Sequence, residues 1–342
     1  MGTINVIGMS LEEIEAVMTR LGEPAYRARQ IYAGVYRRLV RSWDGFTDLG
    51  KELREKLRMR FVLEYPPLQQ VFVSRDGTRR YLFEVSPGQR IESVFIPEER
   101  RDTVCLSTQV GCALGCSFCA TGRLAMQRNL SPGEMVGQIL SLRMDRGVTA
   151  KRLNIVIMGM GEPLNNYSNV MKSLRLMTDE RGMSISPRRI TLSTSGIVPG
   201  IRRLAGEPFV PNLAVSLNAT TDAVRDRLMP VNKKWNLAAL LDACRRFPVA
   251  HRRRITFEYI LIKDVNDSQD DALRLVRLLQ GLPNKVNLIP LNADPWISLE
   301  APPQERVRAF QKVLADHHIT ANIRRPRGGD VSAACGTLAG RS

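Results

Sequence analysis

From about residue 90 onward, β-rich runs alternate with helical ones, and this alternation limits the fold of the 342-residue chain more than any other feature. The runs are TVCLSTQV, LNIVIMG, RITLST, NLAVSLN, RITFEYILI and KVNLIPL, and the helix after the first is opened by Ser131, Pro132 and Glu134. Strands joined through helices run parallel, so the pattern predicts an α/β fold of βα units. Six such units suit a partial or full (β/α) barrel, and a doubly wound sheet shares the same periodicity. In both architectures ligands bind at the carboxyl ends of the strands. Cys112 to Cys119, Gly159 to Pro163, Ser193 to Gly196, Ser216 to Asn218 and Pro290 to Asn292 all fall at or just beyond such an end. Five loops are therefore expected to converge on one site.

The chain ahead of this region is organised differently. Residues 10–62 read as helices, with Ser10-Leu-Glu-Glu13 as a capping box and apolar periodicity over Ala28 to Leu39 and Leu49 to Met59. We read residues 1–64 as a small helical, RNA-binding accessory domain. Pro66-Pro67 marks its end, and QQVFVSRDGTRRYLFEV, with Asp76-Gly77 between two β-rich runs, predicts a hairpin extension over 65–90. Residues 91–342 are then the catalytic domain.

Fifty Lys and Arg against 34 Asp and Glu give a formal charge of +16, and the pI is about 10.1. The basic residues fall in clusters along the chain, Arg79-Arg80, Arg188-Arg189, Arg252 to Arg254, and Arg324-Arg325 with Arg327. A folded positive surface and a nucleic-acid partner are expected. No apolar stretch approaches the length of a membrane span, and the first residues do not read as a signal peptide, so a cytoplasmic protein with no membrane partner is expected. In that reducing compartment six cysteines argue for metal binding or catalysis rather than a disulfide framework.

Cys112-Ala-Leu-Gly-Cys116-Ser-Phe-Cys119 places three thiolates within eight residues, with Gly115 permitting a tight turn. Soft thiolates suit an iron–sulfur cluster, and a [4Fe–4S] cluster held by only three cysteines keeps one iron open for a ligand from outside the protein. A closed zinc site with Cys105 as fourth ligand is the alternative. Cys244, within LLDACRRF, has no assigned role.

The cysteine spacing, with an aromatic residue before the last cysteine, resembles the radical S-adenosylmethionine (SAM) superfamily, and Gly159-Met-Gly-Glu-Pro163 resembles its SAM-binding GGEP-like loop. The segments IESVFIPEERRDTVCLSTQVGCALGCSFCATG, RNLSPGEMVGQI, IMGMGEPLNN, RRITLSTSG, LMPVNKK, VNLIPLN and GGDVSAACGTLAG narrow the resemblance to RlmN-type adenine C2 methyltransferases of 23S rRNA and tRNA, over essentially the whole chain. The related Cfr type, which methylates adenine C8, shares the cysteine layout.

The resemblance implies a partial (β/α)6-type radical SAM barrel, with Cys112, Cys116 and Cys119 as ligands of a [4Fe–4S] cluster. It implies a SAM pocket lined by Gly161, Glu162, Ser193, Ser216, Leu217, Asn218 and Asn292. Asn218 departs from the family, whose well-known members carry His there, but an amide still donates and accepts. Cys335 would carry the methyl group, Cys105 would resolve the intermediate, and Glu92 would be the general base. Two SAM molecules per turnover are implied, one methylating Cys335 and one supplying a radical, with electrons from a donor such as flavodoxin or ferredoxin. Adenine C2 lies between two ring nitrogens and is too electron-poor to attack SAM directly, which is the chemical reason for a radical. The glycines flanking Cys335, from Gly328 to Gly336, suit a mobile arm. Strand alternation places Glu92 on the face opposite Ile91 and Ser93.

Overall fold

The capping box at Ser10 forms as its sequence dictates. Ser10 Oγ accepts from the Glu13 amide at 3.2 Å, and Glu13 returns a carboxylate to the Ser10 amide at 2.8 Å. In this computed structural model, which describes residues 3–148 and 152–341, the first elements are β1 (Ile4–Asn5), α1 (Leu11–Arg20), α2 (Ala25–Ala33), α3 (Lys51–Arg58) and β2 (Phe61–Val62), with β1 and β2 paired in parallel. The helical pattern read through Leu39 continues past α2 as one π-helical turn, Gly34–Arg38. Gly34 is required there, because a Cβ would stand 2.1 Å from the Phe46 ring.

This unit is docked on the remainder of the chain by polar and backbone contacts. Arg143 is buried and donates to the Tyr36 carbonyl at 3.1 Å, and Tyr32 donates to Asp179 at 3.2 Å. Gly8 and Gly133 approach so closely that a Cβ on Gly133 would lie 2.2 Å from the Ile7 carbonyl oxygen.

The hairpin forms as β3 (Leu68–Val73) and β4 (Arg79–Ser86), followed antiparallel by β5 (Gln89–Ile96) and then β6 (Asp102–Cys105). A short ribbon, β7 (Gln109–Val110) and β8 (Arg128–Asn129), brackets the cysteine loop. Thereafter strands and helices alternate: α4 (Pro132–Arg146), β9 (Leu153–Ile157), α5 (Tyr167–Thr178), β10 (Ile190–Thr194), α6 (Val198–Ala205), β11 (Asn212–Ser216), α7 (Asp222–Leu228), α8 (Leu237–Arg245), β12 (Ile255–Leu261), α9 (Gln269–Leu279), β13 (Asn284–Pro290), α10 (Gln304–Asp316) and β14 (Ala321–Ile323). One ten-stranded sheet results, in the order β14-β13-β12-β11-β10-β9-β6-β5-β4-β3. It is parallel from β14 to β6 and antiparallel from β6 to β3.

This is the α/β fold of βα units expected from the alternation, with an open sheet that the hairpin prolongs. The structure adds one parallel strand to the six read from sequence. β14 is three residues long and only partly buried, too short to carry a hydrophobic signature. The alternation expected along β5 does not separate an inner from an outer face: Ile91, Glu92, Ser93, Val94 and Phe95 are all buried. Helix α4 covers one side, where Gln138 accepts from Ser93 Oγ at 2.5 Å, and the C-terminal segment covers the other, where Ala339 donates its amide to Glu92 at 3.0 Å.

Candidate active site

The cysteine loop is shaped by backbone conformation. Gly111 and Gly115 adopt φ of +76° and +63°, and a Cβ on Gly111 would stand 2.2 Å from the Ala125 carbonyl oxygen. The three sulfurs face a cavity of about 890 Å³, mouth included, at the carboxyl edge of the sheet. Burial raises all three thiols, Cys112 to about 11, and Cys116 is raised further by the neighbouring Cys119 and Cys112 sulfurs. Thiolates in such a place call for a compensating metal charge. Among the described residues no three His, Cys, Asp or Glu side chains converge on a single point as ligands of one metal ion do. Cys105 is not part of the cavity lining that holds this trio, so it does not supply the fourth thiolate of a closed zinc set. A ring of three thiolates around a cavity fits a cluster of several irons.

Opposite the cysteines, Glu162 is buried and anchored by the ends of two strands. Its carboxylate accepts from the Ser195 amide at 2.8 Å and the Leu164 amide at 3.1 Å, and its own amide donates to Gln109 at 2.8 Å. Burial outweighs these bonds and raises its pKa. Gly159 lets this loop lie against the end of β6, since a Cβ there would meet the Leu106 carbonyl oxygen at 2.6 Å, and Gly161 takes φ of +101°. Such a carboxylate, set among backbone donors, can receive a cationic amino group.

Of the expected SAM-pocket residues, Gly161, Glu162, Ser193, Ser216 and Asn218 line the cavity. Leu217 and Asn292 stand outside its wall. The Leu217 side chain is fully buried, and Asn292 donates to the Cys335 carbonyl at 2.9 Å. Asn218 holds a left-handed φ of +57°, which Asn tolerates better than most residues, and its amide oxygen accepts from the Ile260 amide at 2.9 Å. Its side chain therefore ties β11 to β12 as well as facing the cavity.

Cys335 opens onto the same cavity and is exposed to solvent through it, although protein surrounds the cavity closely enough for burial to raise its thiol. Its segment is held on several sides, against the expectation of a mobile arm. Gly336 accepts from the Ala120 amide at 2.7 Å, Leu338 from Thr121 Oγ1 at 2.6 Å, and Asp330 from Ser74 Oγ in the hairpin turn at 2.6 Å. Cys105 stands at the end of β6, within electrostatic reach of Cys335. Burial first, and the Cys335 sulfur second, push its thiol up to about 12. Glu92 lies behind this segment, paired with Arg80 and bonded to the Ala339 amide. Burial raises its pKa against the opposing pull of Arg80.

Two residues without a local sequence signal complete the site. Arg225 of α7 is fully buried and donates to the carbonyls of Ser195 at 2.7 Å, Ser216 at 3.1 Å and Leu217 at 3.0 Å, clamping the ends of β10 and β11 beneath the cavity. Burial lowers its pKa to about 10, opposed first by the Cys116 thiolate. Glu258 of β12 lines the cavity, accepts from Asn287 at 2.9 Å and is raised by burial. Both lie in ordinary-looking segments and acquire meaning only through contacts across the sheet.

Comparison with known proteins agrees with this geometry. Residues 106–276 match the Radical SAM superfamily, and residues 4–63 match the Ribosomal RNA large subunit methyltransferase N-terminal domain. The chain is 49% identical to the dual-specificity RNA methyltransferase RlmN of Geobacter sulfurreducens over 99% of this chain and 92% of that protein. It is 46% identical to the protein of the same name in Geotalea uraniireducens, over 100% and 98%. The crystal structure of a radical SAM methyltransferase from Sphaerobacter thermophilus superposes with a TM-score of 0.95 at 45% identity, covering 99% of this chain and all of the other.

Proposed function

This chain belongs to the RlmN-type radical SAM RNA methyltransferases, and from that membership we propose that it methylates C2 of adenine in 23S rRNA and in tRNA with Cys335 as the methyl carrier. One observation supports the proposal above others: Cys335 opens onto the cavity ringed by Cys112, Cys116 and Cys119, and Cys105 at the end of β6 is close enough to feel the Cys335 charge. A carrier must reach both the methyl source and the substrate, and a resolving thiol must reach the carrier.

In this reading Cys112, Cys116 and Cys119 hold a [4Fe–4S] cluster, and Glu162 with the ends of β10 and β11 holds SAM. Together these groups supply, when bound, a carbon radical able to take a hydrogen atom from a methyl group. The residues of the chain do the rest. Cys335 accepts a methyl from one SAM, which makes two SAM molecules per turnover, and becomes bonded through that carbon to the adenine ring. Glu92 takes the ring proton, which requires its carboxylate to leave the Ala339 amide. Cys105 then attacks the Cys335 sulfur, so the carbon–sulfur bond breaks, its electron pair and a proton going to the new methyl carbon, as a disulfide forms. A reductant of the thiol class restores the two thiols, and a donor such as flavodoxin or ferredoxin would supply the electron for the radical. The helical unit at residues 1–64 would help hold the RNA.

Mass spectrometry of nucleosides from rRNA and tRNA incubated anaerobically with the protein, SAM and reductant tests this directly. We expect 2-methyladenosine in both. Methylation at C8, or none, would overturn the proposal.

A further inference from the structure

Trp43 is buried and Trp235 partly so, but Trp296 is 42% exposed on the loop that follows β13. An exposed indole ordinarily costs hydration free energy and is left free to rotate; this one is fixed. Asp294, whose side chain is 1% exposed, accepts from the Trp296 amide at 2.9 Å and from Arg341 Nη2 at 2.7 Å. The Arg341 guanidinium lies 3.8 Å from the centre of the indole ring, covering one face. A buried carboxylate thus ties down the Trp296 backbone and the arginine that stacks on its ring, and the remaining indole surface meets solvent.

The location of this unit gives it a partner. Two residues before Asp294, Asn292 bonds the Cys335 carbonyl, and the Arg341 carbonyl accepts from Arg80, the partner of Glu92. The stacked pair therefore stands outside the cavity wall, on the two segments that hold the Cys335 backbone and close over Glu92. Unpaired RNA bases stack on aromatic rings and arginine planes, and every base offers a π-face. We propose that Trp296, backed by Arg341, is a stacking platform for an unpaired RNA base next to the target adenine. This rests on the RNA-methylating reading given above, and it adds a site for a second base.

Fluorescence and filter-binding titrations with unmodified bacterial tRNA, using the cluster-loaded protein, test it. Wild type should bind with quenching of tryptophan emission, and a blunt RNA duplex of equal length should quench it little. Trp296→Ala should weaken tRNA binding about tenfold, and Trp296→Phe much less, because phenylalanine keeps a face to stack on. The dependence of affinity on salt should keep the same slope in Trp296→Ala, since no phosphate contact is lost. Iron content and the melting temperature serve as controls for folding. Equal tRNA affinity in wild type and Trp296→Ala, or a reduced salt slope in the variant, would overturn the platform. A wild-type protein that binds no RNA would overturn the RNA reading itself, and the platform with it.

Discussion

Arg80 and Glu92 form an ion pair across adjacent strands of the sheet, with the guanidinium 7% exposed and the carboxylate 1% exposed. Each occupies a place where a lone charge would be costly. Removing one partner of a buried pair leaves the other uncompensated, at about 3–5 kcal/mol. Arg80→Ala should lose stability on that scale in urea denaturation. Combining Arg80→Met with Glu92→Gln should recover most of it, while methyl transfer to RNA stays low if Glu92 is the proton acceptor proposed above.

The proposed pairing of Cys105 with Cys335 leads to a second expectation. Cys105→Ala removes the resolving thiol but leaves the cysteine loop and Cys335 in place. The variant should accumulate a protein–RNA crosslink on denaturing gels, dependent on SAM and reductant and absent from the Cys105→Ala, Cys335→Ala double variant. Normal turnover by Cys105→Ala would exclude the two-cysteine scheme for this chain.

Glu258 predicts a stability profile in pH. Its pKa in the fold is raised by burial above the ordinary 4.5, so between 4.5 and the raised value the native state binds more protons than the unfolded state. Stability falls as pH rises through that window, and the full cost of the buried charge is present above it. Glu258→Gln keeps an acceptor for Asn287 and removes the charge. At pH 8 it should be more stable than wild type by on the order of 1 kcal/mol or more. The difference should shrink on acidification towards 4.5, as read by denaturant midpoints at several pH values.

The contact between Gly8 and Gly133 predicts the consequence of a single methyl group. Gly133→Ala would press a Cβ against the Ile7 carbonyl oxygen, and overpacking of this kind costs about 1–3 kcal/mol. Faster proteolysis between β2 and β3, with a lower melting temperature, is expected. Gly50→Ala, where a Cβ meets nothing within 4 Å, should change neither.

Much of this arrangement is legible in the sequence, because it is written in local periodicity. The βα alternation, the Ser10 capping box, the helix start at Ser131 and the Asp76-Gly77 hairpin depend on neighbours a few residues away, and the structure forms each at those residues. The cysteine loop is compact enough to be seen whole. What sequence leaves dark is long-range. Arg225 looks like a charged residue on a short helix, and only the fold shows it reaching three carbonyls at the strand ends. Arg80 sits in a basic dipeptide that suggests a surface cluster, yet it is buried because Glu92 and the C-terminal segment close over it. The Cys335 segment reads as mobile from its glycines, and its restraints come from Ser74, Thr121 and Asn292, each more than 40 residues away.

The ten-stranded sheet never closes, and that has a consequence for self-association. An unclosed sheet has two edges, each offering unpaired backbone groups on which another chain can add a strand. At one end β14 is only three residues long, which gives an incoming strand little to pair with. At the other, β3 is six residues long with Leu68 and Val73 exposed, a far better template for aggregation. Pro66-Pro67 immediately before it withholds two amide donors, and the register shift between Leu68 and Gln70 interrupts the ladder where the edge begins. A sheet left open in this way brings with it an edge that the chain must blunt.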